Sequence, residues 1–255
     1  MAKKNNVISP YVLTAIAVFL LVAGWLMKSF PIFLLAGFAP LFALTDNISE
    51  KKPFWNQFEW IWVSLSIGYF AASVFKSESI IQSLVQGILC TLPFIAFRFA
   101  QQSLGPRTIK FTVVFLWLAL EYVAVVSPWK NDWIYLADGF LLQLRWLTFT
   151  EHTGYLGISL WVLTCNLTAY QAFFRGKIHF LFAGVFLLMV ATPLALSLWE
   201  SWNPIGRQDM ISLYGGNSVE IENYRNRGEW VARTAAWVSV LIILLSFVKN
   251  KTQKK

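Results

Sequence analysis

Eight runs of apolar residues, parted by short polar interruptions, fill most of the chain. They cover residues 11–27, 30–44, 57–75, 80–99, 111–127, 155–174, 179–198 and 231–248. A hydrocarbon core of roughly 30 Å takes about 20 residues of α-helix, and somewhat fewer where flanking groups snorkel. The pattern predicts eight transmembrane helices in a one-domain, all-α integral membrane protein. No run has the two-residue alternation of a membrane barrel strand. Pro31 and Pro40 confine the second run, which is expected to turn back on the first at Lys28–Pro31. The first run follows Lys3 and Lys4 and continues to Met27 with no small-x-small site to close it. It therefore reads as a retained span rather than a cleaved signal peptide.

Composition removes the water-soluble alternative. The 255 residues are 57% hydrophobic and 13% charged, with a mean hydropathy of +0.56, too greasy for a soluble globule of this size. Charge then sets the orientation. Lys3, Lys4, Lys51, Lys52, Arg98, Arg107, Lys110, Arg175, Lys177, Lys249, Lys251, Lys254 and Lys255 fall on one side of an eight-span bundle. Most acidic residues fall on the other. Basic loops stay in the cytoplasm, so both termini are expected there. The net charge of +8 is mostly this asymmetry. Its natural counter-charge is an anionic lipid headgroup, not nucleic acid.

Candidate chemistry is sparse. Cys90 and Cys165 lie within spans and read as small apolar packing groups. His152 and His179 fall on opposite faces, so no metal site is expected, and no phosphate loop or other cofactor motif is present. Within the spans, Glu121 is the clear exception to apolarity. A carboxylate in hydrocarbon is costly enough that it must face the bundle interior and find a donor, or be protonated. Asn166, Thr164 and Tyr69 on other spans are candidate donors.

Two connections are long, and both are expected outside. Residues 128–154 carry Trp129, Trp133, Tyr135 and Trp146, and read as an interfacial loop, because amphipathic rings favour the headgroup level. The sharper alternative is the rim of a lateral opening for a lipid chain. Residues 200–232 end in NYRNRGEWVAR, where Arg225, Arg227 and Arg233 alternate with Tyr224 and Trp230. Such a cationic, aromatic collar suits phosphate or carboxylate headgroups, and equally suits ordinary helix anchoring.

Four segments in order, FPIFLLAGFAPLFAL, FLWLALEYVAVVSPW, LRWLTFTEHTGYLGISLWVLTCN and NYRNRGEWVAR, resemble the membrane portion of the apolipoprotein N-acyltransferase family, in its Bacteroidetes-type form. The resemblance implies eight spans and an outer-face site for lipid. It also implies a nitrilase-like domain between spans seven and eight, which supplies a Glu-Lys-Cys triad. Here the corresponding stretch, Glu200 to Ala232, contains no Cys and no Lys. The chain departs from the family elsewhere too, with Val123, Ala124 and Val125 where an Arg is common, and Thr150 and His152 beside Glu151. The resemblance therefore assigns no catalytic residue. It implies a non-catalytic relative that binds phospholipid or lipoprotein acyl chains, or docks a membrane or periplasmic protein. Two alternatives stand beside it. One is the membrane half of a split lipoprotein N-acyltransferase. The other is a structural subunit of an inner-membrane complex, for which Gly154, Gly157 and Ser159 allow close helix approach.

Overall fold

The computed structural model describes residues 8–27, 31–46, 58–74, 80–104, 110–127, 133–147, 149–175, 177–202 and 229–253. All regular structure among them is helical. The helices are α1 (Pro10–Leu26), α2 (Leu34–Gly37), α3 (Ala39–Asp46), α4 (Glu59–Ser73), α5 (Ile80–Leu104) and α6 (Phe111–Val126), then a 3₁₀ segment (Leu136–Trp146). They continue with α7 (Thr150–Thr153), α8 (Tyr155–Phe173), α9 (Phe180–Trp202) and α10 (Glu229–Gln253). Each apolar run is helical where described. The second run is broken at Phe38 into α2 and α3, both packed on α1, and the turn expected at Lys28–Pro31 lies largely outside the described residues.

By length and composition, α5 and residues Trp230–Lys249 of α10 are able to cross a bilayer. Pro10–Leu26, Leu34–Asp46, Phe111–Val126 and Phe180–Pro193 are shorter apolar helices.

Helix α8 forms the centre and touches α2, α3, α6, α9, α10 and the 3₁₀ segment. Its polar residues Ser159 and Asn166 are as deeply buried as its apolar ones. Around it run α1 on α4, α4 on α5, α5 on α6, and α10 against both α5 and α6. A ladder of rings fills the interior. Phe38 and Phe94 meet Trp117 edge-on, at centroid distances of 5.0 and 6.3 Å, and Phe42 bridges Phe94 to Tyr170. Such edge-to-face pairs add to simple burial. Helices α4 and α5 approach closely because residue 87 lacks a side chain. A Cβ there would stand 2.8 Å from the Ser66 Cα.

The start of the segment that follows α6 is tightly packed. Trp133, Ile134, Tyr135, Leu136 and Ala137 are all buried, and Gly139 sits so close to Leu34 and Trp25 that a Cβ would collide with Leu34. The chain here packs against the C-terminal ends of α1 and α6 and the N-terminal part of α5. Non-helical backbone can be enclosed by apolar helices only if side chains satisfy its amides and carbonyls. Gly154, with φ of 71°, then turns α7 into α8, a conformation that side chains rarely adopt.

Candidate functional site

Two clusters of buried polar side chains do this work, and both bond irregular backbone. In the first, Asn166 of α8 is fully enclosed. Its Oδ1 accepts from the amides of Phe38 (2.6 Å) and Ala39 (3.2 Å). Its Nδ2 donates to the carbonyls of Leu34 (2.7 Å) and Val162 (2.8 Å). The break between α2 and α3 frees backbone groups, and one amide side chain takes three of them.

In the second cluster, Gln86 of α5 pairs with both polar groups of Ile134. Its Nε2 donates to the carbonyl at 2.6 Å, and its Oε1 accepts from the amide at 3.2 Å. Glu121 of α6 accepts at Oε1 from the Leu136 amide (3.1 Å) and from Trp117 Nε1 one turn back (3.1 Å). Glu121 Oε2 has no hydrogen-bond partner among the described residues, and Ser159 Oγ lies beside the carboxylate outside hydrogen-bond geometry. Asp138 ties the segment to α8. Its Oδ2 accepts from the Tyr135 amide at 3.0 Å, and its Oδ1 accepts from the Tyr155 hydroxyl. The Cys90 thiol donates to the Tyr69 hydroxyl at 3.4 Å in the same interior. Cys165 is also buried.

Glu121 thus faces the interior, as expected, but its donors are not the ones its sequence context suggested. Thr164 bonds the Leu160 carbonyl on its own helix, Tyr69 pairs with Cys90, and Asn166 serves the α2–α3 break. Gln86 stands out in hindsight. An amide in the apolar run 80–99 carries the same signal as Glu121, on a smaller scale. Nothing in the sequence marks Asp138 and Tyr155 as partners, since their pairing depends on the packing of the loop.

Of the collar, Trp230 and Arg233 open α10, both exposed, and Arg233 Nε donates to the Tyr122 hydroxyl at 3.4 Å. Arg225, Arg227 and Trp129 lie outside the described residues, and Trp146 is described only in its 3₁₀ backbone. No group of three or more metal-ligating side chains occurs among the described residues.

At the opposite end of α6, Lys110 closes the bundle. Its Nζ pairs with Asp46 at 2.7 Å, donates to the Phe42 carbonyl and to Thr45 Oγ1, and stands 4.1 Å from the centre of the Tyr170 ring. Burial lowers its pKa to about 8, against the opposing pull of Asp46. Between about pH 8 and the usual lysine range near 10.5, the unfolded chain binds more protons than the folded one. Stability from this group therefore rises with pH across that window. Lys110→Met removes the rise. The stability advantage of the unmodified chain over the variant is expected to widen by roughly 2–3 kcal/mol between neutral pH and about pH 10, read by denaturation in detergent. An advantage that stays flat or shrinks counts against the buried ammonium.

No family model and no solved structure matches the chain. The chain is similar to the apolipoprotein N-acyltransferase of Chlorobaculum tepidum, with 25% identity over 118 residues. That stretch is 45% of this chain and 22% of the relative, so the chain spans well under two thirds of the relative's length. The likeness supports a distant relationship to that protein.

Proposed function

We propose that the chain is a non-catalytic, apolipoprotein N-acyltransferase-like protein of the inner membrane. In this reading it crosses eight times with both termini in the cytoplasm. It holds phospholipid or lipoprotein acyl chains, or docks a lipoprotein-handling partner. The observation that carries the reading is a combination. A distant likeness to an N-acyltransferase coincides with an interior in which Asn166, Gln86 and Glu121 hold backbone. The chain's two cysteines, Cys90 and Cys165, are both walled into that interior. A cysteine that attacks an ester needs access and a base within hydrogen-bond reach. Cys90 instead faces a tyrosine hydroxyl.

The basic residues divide in a way that supports the orientation. Lys110 meets Asp46 and Tyr170, and Lys249 Nζ reaches the Leu104 carbonyl. Lys110 at the start of α6 and Lys249 in the last part of α10 thus hold the ends of α3, α8 and α5.

Mass spectrometry of lipid that co-purifies in mild detergent tests the reading. The wild-type chain is expected to retain phospholipid. Arg225→Ala with Arg227→Ala is expected to lower retention several-fold, and neither protein is expected to carry a covalent acyl group. Unchanged retention in the double variant removes the collar from the reading. An acyl adduct on the purified chain removes its non-catalytic character.

A further inference from the structure

Helix α9 is seated unlike its neighbours. Among its described side chains only Pro193 is buried, while Phe180, Leu181, Leu187, Leu188, Leu196 and Leu198 are exposed. It packs on α8 and on the 3₁₀ segment. Pro193 lies in the helix interior, where its ring removes the amide that would bond the carbonyl of Met189. That carbonyl is taken from outside the helix. The Trp161 indole of α8 donates to it at 2.9 Å. Trp161 is itself braced by Phe140 and Phe149, with ring centroids 5.4 and 6.1 Å away. On the same, N-terminal side of Pro193, α9 also rests on α8 through softer contacts. Thr168 Oγ1 touches the Met189 sulfur at 4.0 Å, and Phe173 meets Phe186 edge-on.

We propose that α9 is hinged at Pro193 and latched to α8 by Trp161, and that release of the latch opens the α8–α9 seam to a single hydrocarbon chain. The physical basis is that a proline kink carries one carbonyl in need of a donor, and one side chain of a different helix supplies it. Breaking that bond costs one hydrogen bond. Closing it restores a fully satisfied backbone, so the helix has two discrete positions rather than a continuum. The apolar flanks of α9 make hydrocarbon the fitting occupant. That last step rests on the acyl-chain reading above, whereas the hinge and latch do not.

Hydrogen exchange of the full chain in phospholipid nanodiscs tests the latch. In Trp161→Phe, amides around Met189 to Leu196 are expected to exchange roughly five- to tenfold faster than in wild type. Pro193→Ala restores an amide donor within the helix, so adding it to Trp161→Phe is expected to return exchange to the wild-type rate or below. Unchanged exchange in Trp161→Phe, or a double variant as fast as the single one, overturns the latch. The seam is tested separately with a phosphatidylcholine carrying a photoactivatable acyl chain. Labelling of α8 and α9 peptides is expected to rise several-fold in Trp161→Phe. It is expected to fall to background when Thr168→Cys and Met189→Cys are joined by a disulfide. Labelling indifferent to both changes overturns the hydrocarbon seam and leaves the exchange result to judge the hinge.

Discussion

Asn166→Leu is expected to destabilise the bundle by about 4 kcal/mol, the largest effect of any single substitution considered. Leucine fills a similar volume and suits its apolar neighbours, so packing is not the cause. The cost lies in what the leucine leaves behind. The amides of Phe38 and Ala39 and the carbonyl of Leu34 all lose their partner in a site with no access to water. Each buried polar group left unsatisfied costs about 1–3 kcal/mol. The Val162 carbonyl is a different case, because it belongs to the regular ladder of α8. The substitution also frees the α2–α3 break, so α3 loses its fixed direction and the Lys110–Asp46 contact at its end should loosen with it. Thermal denaturation in detergent measures the first effect. Hydrogen exchange at Phe38 and Ala39 measures the second. A loss of less than about 1 kcal/mol would show that the break finds other partners.

Periodic apolarity was enough to read the helices, because burial or lipid exposure leaves the same mark on sequence: long runs without charge. It located α1, α4, α5, α6, α8, α9 and α10 near their observed bounds, whereas the break at Phe38 within the second run was not foreseen. The same signal does not tell how residues 133–147 are held. A stretch rich in tryptophan and leucine, interrupted by Asp138, Gln143 and Arg145, has the composition of a surface-seeking loop. Its backbone is held by Gln86, 48 residues before Ile134, and by Glu121, 15 residues before Leu136. Composition carries no record of such bonds. Glu121 and Asn166 were legible as costly polar groups that must have partners, but not as groups whose partners are backbone. Donor search among side chains pointed to Thr164 and Tyr69, whereas irregular main chain supplied the unmet need. Trp161 was invisible for a related reason. An indole on an apolar helix reads as bulk until Pro193 on a neighbouring helix exposes a carbonyl to it.

Glu121 is where hydrogen bonding and charge can be told apart, and two substitutions do so. Glu121→Leu is expected to cost about 3 kcal/mol, since the Leu136 amide and the Trp117 indole both lose their acceptor inside the bundle. Glu121→Gln keeps an acceptor oxygen where Oε1 stands and turns the amide nitrogen toward Ser159, whose hydroxyl can accept from it. It is expected to cost less than about 1 kcal/mol and to preserve protection of the 133–138 backbone. Gln86→Leu, which strips the two bonds to Ile134, should resemble Glu121→Leu in magnitude. Combined with it, the loss should fall short of the sum, because the two residues hold one segment and whichever goes first lets the segment move away from the other. Unfolding in detergent gives the energies, and exchange of the Ile134 and Leu136 amides reports the segment directly. If Glu121→Gln proves as damaging as Glu121→Leu, the segment depends on a negative charge at this position rather than on an acceptor. The carboxylate would then have a task that the anchoring of backbone does not explain.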